Sequence, residues 1–94
     1  MSVVFSAQDV RHDSALQQFS LSADGQTALL QYRLGLQDGR RLIAFYHTFV
    51  PAVWRGRQVA ALLTDQAIQW ALAEGLQLTA SCSYVAARLR NQVN

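Results

Sequence analysis

The sequence predicts an α+β fold: a three-stranded antiparallel meander, then a long helix, a parallel fourth strand and a short C-terminal helix. Three observations carry this prediction. Two Asp-Gly pairs separate three stretches that are alternating or apolar. After Pro51 the spacing of the apolar residues changes from two to about 3.6, which is the helical period. After Gly75 the alternation returns.

The N-terminal part of the chain predicts an extended arm and then two strands. The first 15 residues carry no clean period, so we expect an extended arm or a short strand there. Phe19 and Leu21 then alternate with serines, and Leu30, Tyr32 and Leu34 alternate with polar residues. Strict alternation is typical of a strand with one buried face.

The two Asp-Gly pairs, at 24–25 and 38–39, are turn signals that join consecutive antiparallel strands. Residues Leu42 to Val50 are apolar on both alternating faces. Such a run is typical of a strand that is buried on both faces, so we expect this third strand in the middle of the sheet.

Pro51 ends the third strand, because proline fixes φ and donates no hydrogen bond. The helical period predicts a helix from Gly56 to Glu74, with Gly75 as its C-terminal stop. The main apolar stripe of this helix comprises Val59, Leu63, Ala67 and Trp70, broadened by Ala60 and Ala71.

Two short elements are predicted to complete the fold. Leu76–Ala80 alternates and predicts a fourth strand, which a right-handed β-helix-β connection places parallel to the third. Tyr84–Val93 is amphipathic and predicts a short helix with Val85 and Leu89 facing inward.

Composition limits the classes of function. We expect the 94 residues to form a single domain (1–94), with the apolar fraction of 51% needed for its core. The net charge is only +2, and its eight cations are scattered arginines, which argues against a nucleic-acid binder and suits a site for one small polyanion. One cysteine makes no internal disulfide, and no signal-peptide pattern or membrane-length apolar run is present, so we expect a cytoplasmic protein that binds no membrane.

The start of the long helix is the first candidate site. A helix N-terminus leaves backbone N–H groups without partners and carries partial positive charge, so it binds phosphate well. Gly56 can bring backbone close to a ligand, and Arg55 and Arg57 add charge beside it. The alternative is that Gly56 only eases entry into the helix and the arginines are solvated.

Three segments resemble the small single-domain branch of the GNAT N-acetyltransferase superfamily. They are H-T-F-V-P at 47–51, R-G-R-Q-V-A at 55–60 and C-S-Y-V-A-A at 82–87. In that branch the corresponding patterns are H-T-x-V-P, R-G-x-G-x-A and C-x-Y/F-V. The resemblance covers residues 28–90 and implies a minimal GNAT fold that binds acetyl-CoA.

The resemblance also implies which residues bind the cofactor. Backbone amides of the loop would bind the diphosphate, with the end of the preceding strand beside it. The implied cofactor-binding residues are Phe49, Val50, Arg55, Gly56, Arg57, Gln58, Val59 and Ala60. Gln58 stands where the family usually has glycine, so its side chain either bonds the phosphate or displaces the cofactor.

Three side chains are candidates for catalysis, each with a structural alternative. His47 could take the proton of an incoming ammonium, or it is a core histidine on the same face as Phe45. Tyr84 could protonate the departing CoA thiolate, a role that tyrosine often has in the superfamily, or it packs in the core. Cys82 could carry the acetyl group or lie beside CoA, or it is a small buried residue. No metal-ligand spacing is present.

The function that the resemblance implies is acetyl transfer from acetyl-CoA to an amine, either a small molecule or a protein lysine. Transfer would be direct, with a backbone N–H near the end of the third strand polarising the thioester, or would pass through Cys82. Two alternatives remain: a CoA-binding module with little or no catalysis, and a nucleic-acid or protein-interaction domain. A homodimer is compatible with the sequence, because so small a core leaves sheet edges to cover.

Overall fold

A computed structural model of the chain describes residues 5–80. Five strands form one sheet in the order β1-β2-β3-β4-β5, and one helix packs against it. The strands are β1 (Arg11–Asp13), β2 (Gln18–Ala23), β3 (Gln26–Gln37), β4 (Arg40–Phe49) and β5 (Gln77–Ala80), and the helix is α1 (Val59–Ala73). The predicted α+β fold with an antiparallel meander and one long helix is confirmed.

The meander depends on two tight turns between its strands. The loops β2–β3 and β3–β4 contain only Asp24-Gly25 and Asp38-Gly39, and φ is positive at all four residues. Two consecutive residues with positive φ make the turn whose twist matches that of the flanking antiparallel strands. Aspartate and glycine tolerate this conformation, which is why the pairs could be recognised in the sequence.

The N-terminal arm contains a short strand, which is one of the two alternatives that the sequence predicts for it. A 3₁₀ turn at Ala7–Asp9 precedes β1, and β1 pairs antiparallel with β2 as the edge strand of the sheet. Phe5 and Val10 pack against the core from this arm. The arm therefore contributes to the fold although its sequence shows no period.

Helix α1 begins three residues later than the sequence predicts. The predicted start was Gly56, but φ is +81° at Gly56 and +62° at Gln58, and no right-handed helix contains such residues. The helix ends at Ala73, one residue before the predicted Glu74, and Gly75 is its stop as predicted. Gly75 has φ +72° and donates to the Leu72 carbonyl, and Leu76 donates to the Ala71 carbonyl. These two bonds satisfy carbonyls of the last turn in the manner of a glycine C-cap.

The core lies between α1 and one face of the sheet. Each strand from β2 to β4 contributes alternate side chains, and α1 contributes one stripe. The fully buried members include Leu21, Leu30, Tyr32, Ile43, Phe45, Leu63, Ala67 and Ala71. Strand β5 pairs parallel to β4 from Leu42–Gln77 to Phe45–Ala80, as predicted for the β-helix-β connection.

A β-bulge interrupts the pairing of β3 with β4. Gln31 lies opposite His47 and Tyr32 opposite Phe45, so Tyr46 is an extra residue on β4. Paired residues share a face, and Tyr32 and Phe45 face the core, so His47 faces away from it with Gln31. The prediction that His47 shares the face of Phe45 is wrong, because the bulge shifts the alternation by one residue.

The prediction that β4 is buried on both of its faces is also wrong. The side chains facing away from α1 are only half-buried at Leu42 and Ala44, and Tyr46 is 39% exposed. β4 is therefore fully buried on the α1 side alone, although strands flank it on both edges. The predicted C-terminal helix at Tyr84–Val93 lies outside the described residues. In the part of the chain from 5 to 80, α1 is too short to span a membrane.

Candidate functional site

The loop between β4 and α1 is built from two tight turns. A 3₁₀ turn at Ala52–Trp54 follows Pro51 and buries the Trp54 ring, which meets Phe5 edge-on with ring centroids 4.9 Å apart. The next turn is closed by a bond from Arg57 N–H to the Trp54 carbonyl, 3.2 Å. Arg55 (φ −64°, ψ 139°) and Gly56 (φ +81°) occupy its two central positions.

These angles are those of a type II turn, which needs positive φ at its third residue and therefore favours glycine there. A side chain at position 56 would meet no protein atom within 4 Å, so the backbone conformation, and not lack of space, is what favours glycine. The open side of Gly56 leaves its backbone accessible to a ligand.

Helix α1 begins without a side-chain cap among the described residues. Its N-cap, Gln58, has a left-handed conformation (φ 62°, ψ 23°), and its own side chain makes no capping bond. Within residues 5–80, the first backbone N–H after this point that bonds to a carbonyl is that of Leu62, to Gln58 (3.0 Å). Among the residues that the structure describes, the N–H groups of Val59, Ala60 and Ala61 therefore have no acceptor and can donate to a ligand.

A cavity of about 320 Å³ lies at this helix start. Its lining is Val50, Trp54, Arg55, Gly56, Gln58, Val59 and Ala60. Six of the eight predicted cofactor-binding residues thus surround one space. Trp54 was not among them, and only its place between Pro51 and the glycine turn could have indicated it. The volume is at the lower end of the range for small-molecule sites, about 300–1,000 Å³.

Two predicted cofactor-binding residues do not line this cavity. Arg57, the last residue of the turn, is exposed and lies outside the cavity lining. Phe49 pairs with Leu29 on the sheet face away from α1, where it is 47% exposed. Phe49 immediately precedes Val50, which does line the cavity, so β4 leads directly from this exposed face to the helix start.

The electrostatics of the site are those of an anion-binding loop. Arg55 and Arg57 are both exposed, and among the described residues neither forms an ion pair. Their charges add to the partial positive charge of the α1 N-terminus. No acidic residue lies in the first turn of α1, where a carboxylate would compete with a bound anion.

Of the three candidate catalytic residues, the described part of the chain contains His47. His47 is exposed on the sheet face away from α1, so the alternative of a core histidine is wrong. Val50 is the third residue after it, a span of about 10 Å along an extended strand. Cys82 and Tyr84 lie outside the described residues. No group of three His, Cys, Asp or Glu side chains that could hold a metal ion is present between residues 5 and 80.

Comparison with known proteins identifies relatives for most of the chain. The profile of the GCN5-related N-acetyl-transferase family matches residues 18–93. Among curated proteins, Protein NATD1 of Mus musculus is 33% identical over 78 residues, which are 81% of this chain and 68% of the relative. Protein NATD1 of Danio rerio is 32% identical with the same coverage, and that of Homo sapiens is 32% identical over 81% of this chain and 66% of its own length.

Proposed function

The chain belongs to the GCN5-related N-acetyltransferase family, and from that premise we propose that it binds acetyl-CoA and transfers the acetyl group to an amine. The observation that carries this proposal is the cavity at the α1 N-terminus. Its lining contains five of the six loop-motif residues for which the resemblance implies cofactor contact, all except Arg57, and the helix start beside it is uncapped within the described chain.

The diphosphate of CoA would bind at this helix start. The N–H groups of Val59, Ala60 and Ala61, which have no acceptor within the described residues, and the open backbone of Gly56 are donors to phosphate oxygens. Arg55 lines the same cavity and supplies a cation with a planar set of donors. Because the donors are backbone groups fixed by two turns and a helix, little ordering is needed on binding.

The acetyl end of the cofactor would lie along β4, towards the bulge. Strand β4 continues four residues beyond Phe45, its last pair with β5 in the described chain. A bulge re-aims the backbone and side chains of a strand, and bulges are frequent beside active sites. A backbone N–H near the end of β4 would polarise the thioester carbonyl and stabilise the oxyanion of the tetrahedral intermediate.

Direct transfer needs a free amine and a leaving thiolate. The nitrogen lone pair attacks the thioester carbon, the C–S bond breaks, and the CoA thiolate takes up a proton as the amide forms. His47, exposed on the bulge face of β4, is the candidate that accepts the ammonium proton. Tyr84 is the candidate acid for the thiolate, and Cys82 is the candidate for a covalent route.

A second function is favoured by one residue. Gln58 occupies the left-handed N-cap and lines the cavity, so its side chain stands beside the proposed diphosphate site. If that side chain holds the cofactor away from the helix, the protein is a weak or inactive CoA-binding module. Binding and turnover must therefore be measured separately.

Calorimetric titration with acetyl-CoA tests binding, and release of CoA across a panel of amines tests transfer. We expect Arg55→Ala to weaken acetyl-CoA binding by about tenfold, the loss typical of one charge-assisted contact. Arg40→Ala is the matched control, because it removes the same charge from the β3–β4 turn region, outside the cavity. Equal affinities for the two variants would contradict a diphosphate site at Arg55, and binding without turnover of any amine would support the module.

A further inference from the structure

The sheet face away from α1 carries a charged side chain that the proposed cofactor site does not use. The guanidinium of Arg33 lies over the ring of Tyr46, with its central carbon 4.8 Å from the ring centroid. Both side chains are exposed. Stacked on the ring by a cation–π contact, the guanidinium is held in one place on an otherwise open face.

The bulge brings this pair next to His47. Arg33 pairs with Ala44 and alternates with the core residue Tyr32, so it faces away from α1. Tyr46 reaches Arg33 and therefore shares that face, and His47 shares it because it lies opposite Gln31. Two consecutive residues of β4 thus face the same side of the sheet, which regular alternation would not allow.

The chemistry of Arg33 suits a carboxylate. The ring of Tyr46 covers one face of the guanidinium, which leaves the N–H donors along its edge free to bind both oxygens of a carboxylate. Within residues 5–80, no acidic side chain forms an ion pair with Arg33. The ring contact therefore positions the cation, and no carboxylate of the described chain neutralises it.

Arg33 lies close to His47, the candidate base, because the two residues are on paired strands. Gln31, the pairing partner of His47, lies two residues from Arg33 on β3, so His47 and Arg33 are diagonal neighbours on the two paired strands, with backbone positions about 7–8 Å apart. A short amino acid that bonds Arg33 through its carboxylate and His47 through its amine spans such a distance, since each hydrogen bond adds about 3 Å.

We propose that Arg33 is a specificity-determining residue that binds the carboxylate of the amine acceptor, so that the acceptor is a small amine carrying a carboxylate, as an amino acid does. The proposal rests on the proposed transfer function and names its substrate class. Tyr46 is a positioning residue, because it acts by holding the guanidinium. A protein lysine side chain offers no carboxylate at this spacing, so it is the disfavoured acceptor.

The test compares amines that differ only in the carboxylate. Alanine and alaninamide, and β-alanine and propylamine, are offered to the full chain with acetyl-CoA, and CoA release is followed. We expect the carboxylates to be used at least about tenfold better, as kcat/KM, by the wild type. Arg33→Gln should remove this preference, and Tyr46→Leu should reduce it, whereas Arg40→Gln should retain it. Acetyl-CoA affinity should be unchanged in all three variants.

A second readout separates failure of this proposal from failure of the transfer function. Binding of alanine and alaninamide to the CoA-saturated protein is followed through the NMR signals of the Arg33 side chain. A carboxylate-dependent shift that disappears in Arg33→Gln supports the site even if no acetyl group is transferred. Equal use or equal binding of the paired amines by the wild type overturns the proposal, even if acetyl-CoA binds and amines are acetylated.

Discussion

The imidazole of His12 lies flat against the ring of Phe19, with centroids 4.1 Å apart and ring planes 3° from parallel. Trp70 meets the same imidazole edge-on at 4.4 Å, and His12 Nε2 shares a hydrogen bond with the Tyr32 hydroxyl. His12 thus fastens the edge strand β1 to an aromatic cluster formed by β2, β3 and α1, and it gives the buried Tyr32 a polar partner.

This contact predicts a loss of stability at acid pH. Desolvation by the surrounding rings lowers the pKa of His12 below 6.5, against a smaller opposing effect of Asp13. The folded state therefore binds the proton less well than the unfolded state. The stability that the neutral His12 contributes is fully present above pH 6.5 and is lost as the pH falls through the lower pKa of the folded state. We expect the urea midpoint to fall as pH is lowered from 6.5.

His12→Phe should reduce this acid dependence while keeping the ring stack, although it leaves the Tyr32 hydroxyl without its partner and lowers stability at neutral pH. His47→Gln is the control, because it removes the other described histidine from the exposed sheet face. If His12→Phe loses stability with acid as steeply as the wild type, the acid sensitivity comes from another group.

A buried hydroxyl in α1 predicts a stabilising substitution. Thr64 is fully buried, and its Oγ1 has no hydrogen-bond partner among the described residues. Burying such a group without a partner costs about 1–3 kcal/mol. We expect Thr64→Val, which keeps the shape, to raise the free energy of unfolding by about 1 kcal/mol in chemical denaturation.

A threonine-to-valine substitution at Thr79 should change the free energy of unfolding in the opposite direction. Thr79 Oγ1 donates to the Ile43 carbonyl at 3.0 Å, so Thr79→Val removes a bond between β5 and β4 and should destabilise the protein. A destabilised Thr64→Val variant would mean that the Thr64 hydroxyl is hydrogen-bonded in solution.

Most of the fold could be predicted because its determinants are local. The Asp-Gly pairs act through positive φ at two adjacent residues, and Gly75 acts through one, so each turn is encoded where it occurs. The core face of α1 follows from helical spacing in the same way. These signals need no knowledge of the rest of the chain.

The bulge at Tyr46 could not be predicted, because nothing in the alternation of β4 marks an extra residue. Its position depends on the register of pairing with the adjacent strand β3, which the sequence of β4 alone does not encode, and one misplaced residue reverses the face of His47. The Arg33–Tyr46 contact follows from that bulge and from the same pairing. The proposed cofactor loop is indicated by its motif, whereas Trp54 joins the cavity through a turn whose sequence is not distinctive.

The left-handed conformation of Gln58 predicts that glycine at this position improves both stability and binding. The left-handed conformation costs a residue with a side chain about 1 kcal/mol of conformational free energy, and it costs glycine little. We expect Gln58→Gly to be as stable as the wild type or more stable, and to bind acetyl-CoA more tightly because the helix start is less covered. Calorimetry and thermal unfolding measure the two effects.

Asp38→Gly is the matched control for the backbone effect. Asp38 also has positive φ (52°), but it lies in the β3–β4 turn and does not line the helix-start cavity. Its replacement should leave acetyl-CoA affinity unchanged. Weaker binding by Gln58→Gly would show that the Gln58 side chain bonds the cofactor, which was the other outcome that the sequence allowed.

The chain contains no lysine, which makes the route of the acetyl group directly measurable. In the covalent route the Cys82 thiolate attacks the thioester carbon, CoA leaves as a thiolate, and the protein gains one acetyl group as a new thioester. Because no lysine side chain competes for acetylation, intact mass after incubation with acetyl-CoA alone reports on Cys82 and the N-terminal amine. Hydroxylamine removes a thioester and leaves an amide.

We expect direct transfer, and therefore no hydroxylamine-sensitive acetyl group on the protein and full CoA release by Cys82→Ala with a competent amine. Cys82→Ser is the companion variant, since it keeps a polar group of similar size but is a far weaker nucleophile at neutral pH. A labile acetyl adduct on the wild type that both variants lack, together with loss of turnover, would assign the reaction to the covalent route. Loss of turnover in both variants without any adduct on the wild type would instead give the thiol a role in positioning CoA.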